Sequence, residues 1–219
     1  MTDLAALFGQ IDIYLFDQLM RDRITPGMRI LDAGCGGGRN LVYLLSNGFE
    51  VAAVDRDPAA IEAVRAMASR LAPHLPGSNF RVEAVEALSF ADACADAVIS
   101  SAVLHFASGP EHFDAMLRAM WRVLKPGGLF FCRLASSIGI ADRVQPIGNG
   151  RFRLPDGSDR YLVDEPALLA ATASLGGELL DPLKTTVVQD QRAMTTWVMR
   201  KGVGLPLPPV GSQWTVLPA

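Results

Sequence analysis

The strongest constraint on the fold is a turn of alternating glycines set directly behind a short apolar run, Ile30-Leu31-Asp32-Ala33-Gly34-Cys35-Gly36-Gly37-Gly38-Arg39-Asn40. Glycine at 34, 36 and 38 lets the backbone approach a bound molecule closely, because no Cβ stands in the way. Twenty-three residues after Asp32, a second apolar run, Val51-Ala52-Ala53-Val54, ends in Asp55. An acid at that distance, on the next strand, is placed to accept hydrogen bonds from ribose hydroxyls. The pair of features points to an adenosine-containing ligand.

The rest of the chain supplies the matching rhythm. Apolar spacing predicts a strand at 29–33, a helix at about 38–46 closed by Asn47-Gly48, and a strand at 50–54. Asp57-Pro58 opens a helix carrying Ile61, Val64, Ala68 and Leu71 on one stripe. Strands near 79–83 and 96–101, a helix from Pro110 and a strand at 129–134 follow. Strands joined by helical crossovers imply a parallel, doubly wound α/β sheet with helices on both faces. Two further strands, near 178–188 and 192–200, are close enough to pair antiparallel.

These patterns organise the chain as a single domain over 1–202, with a proline-rich tail at 203–219. Within it, 1–26 holds an amphipathic helix (3–21), 27–135 the binding core, 136–163 a hairpin-like insert turning at Asp156-Gly157, and 164–202 the closing helix and strands. At 219 residues such a domain buries roughly 70% of the surface its unfolded form exposes. A net charge of -3 with no Lys/Arg run offers no electrostatic pull toward nucleic acid or an anionic membrane, so neither is expected as a partner. Cys35, Cys94 and Cys132 lie far apart without CxxC spacing, which argues against a zinc site or disulfide framework and suits a reducing cytoplasm. No secretory signal or membrane span is expected.

The glycine spacing discriminates between ligands. A dinucleotide turn needs Gly-x-Gly-x-x-Gly/Ala, but the third position is Arg39 counted from Gly34 and Leu41 counted from Gly36. A phosphate loop needs a terminal Gly-Lys-Ser/Thr, which is absent. Asp-x-Gly-x-Gly-x-Gly is met in full by residues 32–38. With it, the chain resembles the class I S-adenosylmethionine-dependent methyltransferases, most closely the small-molecule enzymes of the quinone-biosynthesis and tellurite-resistance type. Leu31–Gly38 is similar to that family's first motif, Val54-Asp55 to its second, and Trp121-Arg-Val-Leu-Lys-Pro-Gly-Gly128 to its passage into the fifth strand.

The resemblance implies a Rossmann-like, mostly parallel seven-stranded sheet of order 3-2-1-4-5-7-6 with strand seven antiparallel. It implies S-adenosylmethionine as cofactor and S-adenosylhomocysteine as product, held by Asp32, Gly34, Cys35, Gly36, Gly38, Asp55, Arg56, Ala84, Val85 and Ser101. One position departs from the family: Ala84 stands where many relatives have the aspartate that binds the adenine amino group, so backbone at Ala84 and Val85, or Glu83 or Glu86, would take over.

Methyl transfer from a sulfonium is an in-line displacement that requires neither a metal nor a covalent intermediate, only a nucleophile held behind the methyl away from water. A general base helps where the acceptor must lose a proton. Acceptor groups are expected from loops at the carboxyl ends of the strands. His105 is the candidate base, with Tyr14, Arg39, His105 and Arg133 the candidate binders of a small-molecule acceptor. Each has a structural alternative: loop capping or packing for His105, pairing with a carboxylate for Arg133, helix surface for Arg39, and a lid over the core for the helix bearing Tyr14. Two other functions stay open at this level, a methyltransferase of RNA or protein and a partner subunit that binds the cofactor without turnover.

Overall fold

A computed structural model describes residues 3–203. In chain order it contains α1 (Leu4–Phe8), α2 (Ile13–Met20), β1 (Arg29–Ala33), α3 (Val42–Ser46), β2 (Glu50–Asp55), α4 (Pro58–Leu71), β3 (Phe80–Val82), β4 (Ala95–Ser101), α5 (Pro110–Val123) and β5 (Leu124–Ser136). There follow β6 (Gln145–Gly148), β7 (Arg151–Arg153), β8 (Asp159–Tyr161), α6 (Glu165–Ser174), β9 (Gly177–Leu179), β10 (Lys184–Val188) and β11 (Arg192–Lys201). The main sheet runs β3-β2-β1-β4-β5-β11-β10, with β9 also on the outer edge of β11. Every pairing from β3 to β5 is parallel, and β11 is antiparallel to both β5 and β10. The order expected from the resemblance, 3-2-1-4-5-7-6 with strand seven reversed, is the order observed.

Alternation along the strands builds a core on each face. Phe130 and Trp197 join Trp121 and Met120 of α5 and Leu168 of α6 on one side, while Phe131 and Val198 join Leu44 of α3, Ile61 and Val64 of α4 and Leu15 of α2 on the other. Local signals start the helices where expected. Asp57 accepts the Ala59 amide at 2.9 Å ahead of Pro58, and Asp164 accepts the Ala167 amide at 2.8 Å ahead of α6.

Three expected elements differ. The helix expected over 3–21 is two helices, because Asp12 between them is held by tertiary partners. Its carboxylate caps α2 through the Tyr14 amide (3.0 Å) and pairs with Arg133 (3.0 Å), while its own amide donates to Asn40 (3.0 Å). The helix expected at 38–46 begins only at Val42, since Gly38 at φ +79° closes a tight turn that cannot start a right-handed helix. The strand expected at 178–188 is split into β9 and β10 at Asp181-Pro182, where proline offers no ladder donor and Asp181 pairs with Arg21 and Arg23 at 3.1 and 2.7 Å.

After β5 the insert forms a small sheet of its own, β6-β7-β8, turning between β7 and β8 at Asp156-Gly157. It rests on the loop that follows β4. Asn149 donates to the Ser108 carbonyl at 2.7 Å, Arg160 lies 4.9 Å over the Phe106 ring, and Tyr161 stacks on Phe113 at 5.0 Å. From residue 204 on, the proline-rich stretch expected at 203–219 lies outside the described residues. Among the described residues, no helix is long and apolar enough to cross a membrane.

Candidate functional site

The turn after β1 is shaped by its neighbours before any ligand is considered. The Gly34 and Cys35 amides both donate to the Val54 carbonyl, at 2.8 and 2.9 Å, tying the turn to the end of β2. Gly34 sits at φ +83°, and a Cβ there would come within 2.5 Å of the Val103 side chain, so glycine is required on both counts. Asp55 sets the next step. Its Oδ2 accepts the Gly36 amide at 2.8 Å and its Oδ1 the Asp57 amide at 2.9 Å. Nothing lies within 4 Å of where a Cβ on Gly36 or Gly37 would be, so that edge of the turn faces open space.

The open space is a cleft of about 410 Å³ at the carboxyl ends of β1, β2 and β4. Eight of the ten expected cofactor residues form its wall: Gly34, Cys35, Gly36, Asp55, Arg56, Ala84, Val85 and Ser101. Asp32 and Gly38 do not. Asp32 is 1% exposed beneath the turn, and Gly38 packs against Val64 of α4. Burial pushes the Asp32 carboxyl up to about 7, with Arg39 opposing the rise and Asp55 adding to it, and its Oδ2 has no hydrogen-bond partner. Burial likewise raises the Cys35 thiol, far from the thiolate a redox role would need.

At the Ala84 end, Glu83 is turned away, accepting from the Ser89 amide and hydroxyl. Glu86 lines the cleft instead, with Met116 and His112 of α5 beside it. His112 Nδ1 accepts the Ser108 amide at 3.1 Å, which leaves the proton on Nε2, 3.3 Å from Glu86 Oε1. His112 and Phe106, which are not among the sequence-level candidates, are both cleft residues. No local pattern marks them, because their position depends on how α5 and the loop after β4 dock.

A second cavity of about 310 Å³ adjoins the first, sharing Arg39 and Ala102. Ala102 holds a left-handed φ of +64° there, its amide donating to the Arg133 carbonyl at 2.7 Å. His105 and Arg133 line this cavity together with Leu154, Asp156, Ser158 and Arg160 of the insert and Arg192 of β11. Tyr14, expected to face an acceptor, is not on its wall. The Tyr14 hydroxyl bonds Thr186 at 2.8 Å and its ring lies 5.7 Å from the Arg133 guanidinium.

His105, the expected base, has one ring nitrogen engaged by the backbone. Its Nδ1 accepts the Ala135 amide at 3.1 Å, so the single ring proton of the neutral form sits on Nε2 and the one basic lone pair is engaged by the backbone. Burial, with Arg160 nearby, pulls the imidazole down to about 4, keeping it neutral at physiological pH. Neutral His105 is a hydrogen-bond donor. Behind it Asp12, absent from the sequence-level candidates, anchors the cationic wall. Its Oδ2 meets Arg133 at 3.0 Å and Arg39 at 3.5 Å, and Arg39 donates to Ser101 Oγ at 2.8 Å. The described residues contain no cluster of three or more metal-ligating side chains.

Residues 31–132 match the family described as methyltransferase domain. An uncharacterized methyltransferase of Synechocystis sp. is 34% identical over 107 residues, covering 49% of this chain and 47% of that protein. A ubiquinone biosynthesis O-methyltransferase of Methylocella silvestris is 37% identical over 117 residues, covering 52% and 43%. The chain thus spans somewhat under half the length of these two curated relatives. Among solved structures, a SAM-dependent methyltransferase from Methanosarcina mazei superposes with a TM-score of 0.67 at 23% identity, covering 85% of this chain and 98% of that one, which shows a shared fold.

Proposed function

We propose that the protein moves the methyl group of S-adenosylmethionine to a small-molecule acceptor, a reading supported by the match of residues 31–132 to the methyltransferase-domain family on a Rossmann-like sheet. The observation that carries this reading is the adjacency of the two cavities, one behind the Asp55-braced glycine turn and one behind Arg39 and Ala102. When bound, the cofactor supplies an electrophilic sulfonium methyl whose departure leaves a neutral thioether. The open edge at Gly36 and Gly37 would admit its amino-acid end, Asp55 and Arg56 would meet the ribose, and Ala84, Val85, Glu86 and His112 would surround the base.

The protein's own work is positioning. The insert supplies Leu154, Asp156, Ser158 and Arg160 to one side of the second cavity, where they can hold an acceptor against the strand ends. Near neutral pH that cavity offers no ready base: His105 has its Nδ1 occupied, Asp12 is paired with two arginines, and the Asp156 carboxyl is held below its usual range, Ser158 bonding to it. The acceptor atom therefore arrives already nucleophilic, and Nε2–H of His105 and Arg39 orient it. A cavity of about 310 Å³, bounded on one side by the insert, suits a small molecule better than a polymer. Three cysteines, none in a disulfide, fit the cytoplasm as the compartment.

Calorimetric titration with S-adenosylmethionine, S-adenosylhomocysteine and NAD tests the cofactor. Binding of the first two and not the third is expected. Failure of both adenosyl compounds to bind would reduce the reading to a likeness of fold.

A further inference from the structure

The wall of the second cavity is unusually cationic. Arg39, Arg133, Arg160 and Arg192 contribute to it, against a single lining carboxylate, Asp156. That carboxylate is already engaged by the Ser158 amide (2.9 Å) and hydroxyl (2.6 Å). Asp12 behind the wall offsets one charge of the Arg39–Arg133 pair. Among the described residues no carboxylate lies within 4.0 Å of Arg160 or Arg192, and Arg133 keeps its buried Nε without a partner. His105, held neutral, adds a donor and no negative charge.

Four guanidinium groups around one concave site, against the carboxylates of Asp12 and Asp156, leave it with a net positive charge. A bound anion offsets it, and the low-dielectric walls focus the field onto that anion. Guanidinium forks match planar or tetrahedral oxyanions in two-point contacts. We propose that the acceptor carries a carboxylate or phosphate group gripped by Arg133, Arg160 and Arg192, which line only the second cavity, so that its reacting atom turns toward the junction at Arg39 and Ala102. This rests on the methyltransferase reading and names the substrate class for it.

The test is calorimetry on the full chain saturated with S-adenosylhomocysteine, titrated with benzoate, phenyl phosphate and the neutral analogue benzamide. At least one anion is expected to bind about tenfold or more tightly than benzamide, the tighter of the two distinguishing a carboxylate from a phosphate ligand. In Arg192→Gln, an exposed position away from the first cavity, that affinity should fall about tenfold, as for loss of a charge-assisted hydrogen bond. Arg133→Gln, checked for its melting transition, should lose more. S-adenosylhomocysteine affinity should stay within about twofold in Arg192→Gln. If the cofactor product binds but benzamide matches the anions, or neither anion binds, or Arg192→Gln leaves anion affinity intact, the anionic-acceptor proposal is overturned and the methyltransferase reading stands. If the cofactor product itself does not bind, the methyltransferase reading fails instead.

Discussion

Asp55 braces the glycine turn through two backbone amides on opposite sides, Gly36 and Asp57, before it meets any ligand. Removing it takes away the bracing of the turn and, on the proposed reading, the ribose acceptor. Asp55→Ala should therefore weaken S-adenosylhomocysteine binding by about two orders of magnitude, near 3 kcal/mol for a lost pair of charge-assisted bonds. Asp55→Asn, which keeps one acceptor oxygen, should lose less. Calorimetry reads both, and unchanged affinity in the alanine variant would remove Asp55 from the site. His105 makes a different kind of residue-level prediction. With Nδ1 fixed by the Ala135 amide, nitrogen NMR should show the Nε2–H tautomer, titrating near 4 rather than near its ordinary 6.5. A protonation midpoint between 6 and 7 would restore the imidazole as a base.

At the scale of elements, α2 and the insert are the two pieces added to the sheet, and they are attached differently. α2 is joined to β5 by a buried ion pair, with Asp12 serving as its N-cap and as partner to Arg133. Removing Asp12 loses the cap and leaves the partly exposed Arg133 guanidinium unpaired, at a cost of about 1–3 kcal/mol, below that of stranding a fully buried charge. Asp12→Ala should lower urea-denaturation stability by roughly that much, and Asp12→Asn by less, because the amide still caps. An Asp12→Asn variant as stable as the parent would mean that the ion pair contributes nothing, and equal losses in the two variants would assign the whole effect to the pair rather than to the cap. The insert is held by a satellite cluster, Leu154 and Leu162 against Ala135, separate from the two main cores. Replacing 145–161 with a short glycine–serine turn should leave S-adenosylhomocysteine affinity within about threefold, roughly 0.7 kcal/mol, because the insert lines the second cavity and not the first. A much larger loss would tie the insert to the cofactor cleft as well as to the acceptor cavity.

For the whole molecule, two buried groups oppose each other in pH. The folded protein leaves His105 neutral down to about 4, whereas the unfolded chain takes a proton near 6.5, so this group makes stability rise with pH between those values. Asp32 keeps its proton up to about 7 in the fold and loses it near 3.8 when unfolded, so it makes stability fall with pH over that range. Each contribution is on the order of 3 kcal/mol, and they offset between about pH 4 and 6.5. Asp32→Asn should unmask a rising stability across that interval, and His105→Asn a falling one, in urea melts at several pH values. Identical slopes in both variants and the parent would show that neither group is shifted as described.

What the residues determined by themselves was local and periodic. Apolar runs, caps and helix stripes placed β1, β2, β4, α4, α5 and α6, and the glycine spacing with Asp55 marked the cleft wall, because those signals act within one element or its immediate neighbour. The outer strands were legible as a pair, though not the break at Asp181-Pro182. Contacts between distant segments decided the rest. Asp12 reaches Arg133 across 121 positions and splits the first helix. The Ala135 amide, 30 residues away, fixes which nitrogen of His105 bears the proton. His112, Arg160 and Arg192 enter the site only because α5, the insert and β11 converge on the ends of β4 and β5. Spacing along a chain carries no record of that convergence, and a side chain's protonation follows from the partners it meets there.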